Sequence, residues 1–128
     1  MKFCWATVHV KDMEDSLRFY QQIVGLKLNR RADISGGREL AFLGEGETQL
    51  ELICDPGAKI EIGKDISLGF ETESLDETMK FLDDKGVPVH SGPVQPNPRI
   101  RFLYVLDPDG LRVQFVEGME QAENDVST

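Results

Sequence analysis

Apolar and polar positions alternate from Lys2 to Val10. Ala6, Val8 and Val10 take one side of the period and Trp5, Thr7 and His9 the other, which predicts a strand with two different faces. The period then changes. Asp12 stands where an N-cap belongs, Met13, Leu17, Tyr20 and Val24 follow at helical spacing, and Gly25 supplies the left-handed residue that commonly ends a helix. These signals predict a helix near residues 13–24. Three short strands are predicted next, at about 26–34, 38–43 and 48–54, separated by Gly36-Gly37 and by Gly44-Glu45-Gly46-Glu47. Turns this short imply antiparallel pairing.

Asp55 to Asp65 contains Pro56, Gly57 and Gly63 and keeps no period; after it the same order returns. Ile66 to Thr72 alternates as a strand, Ser74 and Glu77 make a capping box, and Leu75, Met79 and Leu82 form the apolar stripe of a helix near 75–85 that ends at Gly86. Strands are expected near 87–91, 99–106 and 111–117. Asp107-Pro108-Asp109-Gly110 is the turn between the last two, and the Pro-rich run from Ser91 to Pro98 is read as a loop. The halves also answer each other residue by residue: Asp15-Ser16-Leu17-Arg18-Phe19 matches Glu77-Thr78-Met79-Lys80-Phe81, and Leu50-Glu51-Leu52-Ile53 matches Val113-Gln114-Phe115-Val116.

Two copies of one βαβββ unit account for this repeat. The expected fold is α+β, with modules at about 1–55 and 66–118 joined by a linker at 56–65, together one domain over 1–118. Residues 119–128 are polar and aperiodic and are expected to form a mobile tail.

At 128 residues with 40% hydrophobic and 29% charged positions, the chain can bury one core without disulfides or a structural metal. No run approaches the ~18 apolar residues of a membrane span, and the amino terminus lacks the apolar core of a signal peptide, so a cytoplasmic location is expected. Cys4 and Cys54 lack metal-finger or redox spacing and read as small buried hydrophobes inside strands, not as a disulfide. The net charge of −9 argues against nucleic acid and anionic membranes as partners, since both require clustered Lys and Arg. Neither a P-loop, a dinucleotide glycine fingerprint nor a nucleophile elbow is present. Asp107-Pro108-Asp109-Gly110 lacks the twelve-residue loop and closing Glu of a calcium site and is a hairpin turn.

Strands one, four, five and eight share one design. Leu50, Leu52 and Cys54, or Ile66, Leu68 and Phe70, give an apolar face suited to covering helices. The opposite faces carry Trp5, Thr7 and His9; Gln49, Glu51 and Ile53; Ser67, Gly69 and Glu71; and Arg112, Gln114 and Val116. Solvation alone would account for the polar residues, but not for Trp5, whose large ring seeks burial or a flat ligand. The repeated split is expected to curve the strands into a cup, with helices on its outer face. His9 points to the side of Trp5 but lies four residues along the strand, roughly 13 Å away. His90 lies beside the Pro-rich run.

The segments VHVKDMEDSLRFYQQIVGLKL, QLELI, LDDKGVPV and YVLDPDGLRVQFVE, spanning nearly the whole chain, resemble the vicinal oxygen chelate superfamily of glyoxalase I, bleomycin-resistance proteins and extradiol dioxygenases. The resemblance implies one metal ligand on each of strands one, four, five and eight, usually His, Glu or Gln. Motif by motif these positions are Trp5, Glu51, Ser67 and Gln114. Only Glu51 is a strong donor, and Trp5 has no lone pair to offer. The resemblance also implies a Glu base on the last strand. Gln114 stands there, and an amide does not take up a proton near neutral pH.

Two functions are therefore carried forward. One is a metal-free, cofactor-free module of the bleomycin-resistance type that binds a small organic molecule through Trp5, Thr7, His9, Glu51, Ser67, Glu71, Arg112 and Gln114. The other is a lyase or isomerase of the lactoylglutathione lyase type, using an atypical metal set with Glu51 and Gln114 or Glu51 alone as the base. A homodimer with contacts at the first and fifth strands is what the resemblance implies for the assembly.

Overall fold

Asp12 and Ser74 each end an extended stretch and turn a side-chain oxygen back onto the first turn of a helix. Asp12 accepts from the Asp15 amide at 2.9 Å and Ser74 from the Glu77 amide at 3.2 Å. A computed structural model describes residues 1–118. In its first unit, Met1–Ile62, the order is β1 (Trp5–Val10), α1 (Met13–Arg18), β2 (Leu28–Ile34), β3 (Arg38–Leu43) and β4 (Gln49–Cys54). The helix does not stop at Arg18. It widens into π-helical turns over Phe19–Val24 and ends at Gly25, whose φ of 86° is the left-handed cap read from the sequence.

The second unit, beginning at Gly63, repeats the order as β5 (Ser67–Glu71), α2 (Leu75–Asp84), β6 (Ser91–Asn97), β7 (Ile100–Leu106) and β8 (Arg112–Gly118). Each unit holds one four-stranded sheet, ordered β1-β4-β3-β2 in the first and β5-β8-β7-β6 in the second. In both, the first and last strands pair in parallel while the hairpin neighbours are antiparallel. This is the mixed α+β architecture of tandem βαβββ modules that the repeat predicts.

Strand alternation decides where each core lies. In the first unit Ala41, Leu43, Leu50 and Leu52 are buried on one face of the sheet, and α1 packs against β4 and contributes Met13 and Leu17. In the second, Leu103, Val105, Val113 and Phe115 are buried, as are Leu75 and Leu82 of α2, the helix that packs against β8. Fully burying a side chain of this size contributes about 1.5–3 kcal/mol, so each unit has a strong reason to keep its register. Arg31 adds a polar tie. It pairs with Glu39 and with Glu14 of α1, and these two carboxylates, Glu39 foremost, hold its guanidinium above its ordinary pKa.

Several expectations are corrected. The run read as a loop, Ser91 to Pro98, is largely the strand β6, and residues 87–90, expected to lie in a strand, do not form one. Pro93 and Pro96 are tolerated because β6 is the outermost strand and its pairing with β7 is interrupted between Ser91, Val94 and Asn97. Gly92 lets it approach closely: its φ is 93°, and a Cβ there would stand 3.0 Å from the Phe102 carbonyl oxygen. Cys4 is exposed and lies before β1, and Cys54 is only half-buried, so neither is a core residue. Ile66 is 70% exposed because β5 begins one residue later. The tail expected over 119–128 lies outside the described residues. None of the described helices is long and apolar enough to cross a membrane.

Candidate functional site

On the first sheet, parallel pairing of β1 with β4 sets Trp5 beside Gln49, Thr7 beside Glu51 and His9 beside Ile53, all on the face opposite the core. The antiparallel partner β3 brings Phe42 into the row of Glu51. Glu51 is buried, at 9% exposure, and the Thr7 hydroxyl donates to its Oε1 at 2.6 Å. A carboxylate held this way has its position fixed while its other oxygen remains available as an acceptor. Trp5 stands edge-on to Phe42, with ring centroids 5.3 Å apart and planes at 74°, and is still 50% exposed. Gln49 is oriented by Asn29, whose Nδ2 donates to Gln49 Oε1 at 3.2 Å. The result is an aromatic corner next to a fixed acid; His9 lies exposed at the far end of the same strand.

The second sheet repeats the layout with different chemistry. β5 and β8 set Ser67 beside Arg112, Gly69 beside Gln114 and Glu71 beside Val116, and β7 adds Tyr104 opposite Gln114. Gln114 Nε2 donates to the Tyr104 hydroxyl at 3.2 Å, and the Arg112 guanidinium lies 4.3 Å from the centre of the Tyr104 ring. Gly69 leaves room for Gln114, since a Cβ there would come within 3.3 Å of its Oε1. Glu71 and Ser67 are exposed.

The eight residues singled out from the sequence thus fall into two groups, Trp5, Thr7, His9 and Glu51 in one unit and Ser67, Glu71, Arg112 and Gln114 in the other. Within the groups, only Thr7 with Glu51 forms a direct hydrogen bond among the described residues. Phe42 and Tyr104 were not anticipated. Their signal was available, because carrying the face alternation across each hairpin puts one ring on β3 and one on β7 beside the singled-out residue of the next strand.

Comparison with known proteins bears on what these faces do. Residues 2–115 match the family model described as Glyoxalase/Bleomycin resistance protein/Dioxygenase superfamily. A lactoylglutathione lyase of Neisseria meningitidis is 30% identical over 126 residues, covering 91% of each chain. Among solved structures, the trypanothione-dependent glyoxalase I of Leishmania major superposes with a TM-score of 0.82 at 24% identity, covering 99% of this chain and 96% of that one. TnmS3, an antibiotic-binding protein from Streptomyces, superposes with a TM-score of 0.72 at 25% identity, covering 92% of this chain and 96% of its own.

Proposed function

We propose that this chain, which belongs to the glyoxalase/bleomycin resistance protein/dioxygenase superfamily, captures a small organic molecule without a resident metal. The observation that carries the reading is the exposed Trp5 set edge-on to Phe42 beside the buried, Thr7-held Glu51. An open indole next to a fixed carboxylate suits a flat or cationic group, which gains from the ring face and from the acid together. TnmS3, an antibiotic-binding protein, has the same fold.

The divalent metal that the family resemblance implies does not fit the donors present. Trp5 has no lone pair, Ser67 is a weak ligand, and Gln114 offers only a neutral amide oxygen. Among the described residues no three His, Cys, Asp or Glu side chains gather. Glu51 alone remains a strong ligand, which is too few for a transition-metal site with ordinary geometry. Elemental analysis of protein purified without chelator is expected to find well under one equivalent of zinc, nickel or iron per chain. About one ion per chain, lost in Glu51→Ala, would overturn the reading.

The second reading, a lyase acting through Glu51, is favoured by the names of the relatives at about 30% identity. Lactoylglutathione lyase activity that survives removal of metals and is lost in Glu51→Gln would establish it over the first. Binding itself is tested through Trp5, the chain's single tryptophan. Saturable quenching by benzyltrimethylammonium and little by benzenesulfonate is expected, and the reverse order would refute the proposed ligand class.

The proposed assembly is a homodimer. β1 and β5 each terminate their own sheet, and an edge strand is the part of a sheet best able to pair with a second chain. Light scattering at micromolar concentration is expected to report twice the chain mass; a monomer would remove the proposal. The proposed location is the cytoplasm.

A further inference from the structure

The chain has 23 acidic side chains against 14 Lys and Arg, so carboxylates are in excess. Arg18, Arg31 and Arg101 all take one. Arg112 does not: it forms no ion pair among the described residues. Its guanidinium is held by stacking on Tyr104, 4.3 Å from the ring centre. Among the described residues the only acceptor it reaches is the Lys64 carbonyl oxygen, 3.5 Å from Nη1, at the outer limit of a hydrogen bond. Its Nε is buried and has no hydrogen-bond partner among the described residues. A charged donor closed to water and left unbonded costs stability, and an instance in a folded protein calls for an explanation.

The neighbours add further donors. Gln114 gives an amide proton to the Tyr104 oxygen, which leaves the Tyr104 hydroxyl its own proton to donate. Ser67, in register with Arg112 on β5, adds a second hydroxyl on the same face. The cluster therefore offers donors in excess of acceptors around a planar cation whose orientation is already set. We propose that Arg112, Tyr104 and Ser67 form a binding site for the carboxylate of a small organic anion. The carboxylate takes the two Nη groups of Arg112, the end of the guanidinium not closed off, in a two-point contact and a further proton from Tyr104. A planar two-oxygen group matches the guanidinium fork, and it gives Arg112 the anionic partner that its stacking on Tyr104 does not.

This goes beyond the Trp5 reading, and the two are tested on different sheets, so either can fail alone. In uniformly 15N-labelled full-length protein, the Arg112 Nε–Hε resonance is assigned by through-bond correlation and followed during titration with benzoate, its neutral isostere benzamide, and inorganic phosphate. A saturable shift with benzoate is expected, with benzamide and phosphate at least about tenfold weaker. Calorimetry should show benzoate bound about tenfold more weakly by Arg112→Lys, which keeps the charge but loses the fork, and several-fold more weakly by Tyr104→Phe, which keeps the stacking ring. Absence of a shift, equal shifts with benzamide, tighter binding of phosphate than benzoate, or unchanged affinity in Arg112→Lys would each overturn the assignment.

Discussion

Leu52→Ala is expected to lower the free energy of unfolding by about 2–5 kcal/mol, whereas Ile53→Ala, one residue along the same strand, should cost under about half as much. Leu52 is fully buried, lies in the second strand of its sheet between Val8 and Ala41, and belongs to the strand against which α1 packs. Truncating it removes three methyl or methine carbons from a close-packed interior that relaxes only in part. Ile53 points to the other face and is half-buried. Since a domain of this size is stable by only about 5–15 kcal/mol, the Leu52 variant should show a large fall in its urea midpoint. Equal losses at the two positions would mean that the faces have been assigned wrongly. That would also undo the placement of Glu51, which shares its face with Ile53.

The same two-residue period explains what was legible beforehand. Alternation gave the faces of β1, β4, β5 and β8, and short polar oxygens before an apolar stripe gave the helix starts at Asp12 and Ser74. Both signals are local, which is why they can be read from one chain. β6 was hidden because Pro93 and Pro96 argue against a strand unless it is known to be an edge, and edge position is a property of the whole sheet. Exposure at Cys4 and Ile66 was missed for a related reason: each lies one residue outside the paired strand, where alternation no longer dictates burial.

The site was legible as a set of faces, not as a set of contacts. Thr7 and Glu51 are 44 residues apart, and only the parallel pairing of β1 with β4 brings the hydroxyl to the acid. Stacking of Arg112 on Tyr104 likewise depends on the β7–β8 register. These pairings change what the residues do. Glu51 read alone is a candidate base or ligand; Glu51 with one oxygen bonded to Thr7 and an aromatic corner at its side is a fixed negative point in a partly apolar surface.

Glu51→Gln is accordingly expected to weaken binding of benzyltrimethylammonium by about tenfold or more, the loss typical of removing a charged partner from a sheltered site. The substitution keeps the shape of the side chain and its ability to accept from Thr7, so the change isolates the charge. Thr7→Val removes the bond that fixes the acid, preserves volume, and should cost less, about two- to fivefold, because the carboxylate survives but is free to move. Trp5→Ala should have an effect comparable to the loss of charge, since a cation over an indole contributes about 0.5–2 kcal/mol, the upper value when water is excluded. Phe42→Leu, which keeps bulk but removes the ring that meets Trp5 at 5.3 Å, tests whether the edge-on contact sets the indole's orientation. Calorimetry is the measurement, because it does not depend on Trp5 fluorescence. The order expected is Glu51→Gln and Trp5→Ala most severe, then Thr7→Val and Phe42→Leu. Should Glu51→Gln bind the cation as well as the parent chain, the carboxylate has no part in recognition, and the aromatic corner alone would have to account for any binding observed.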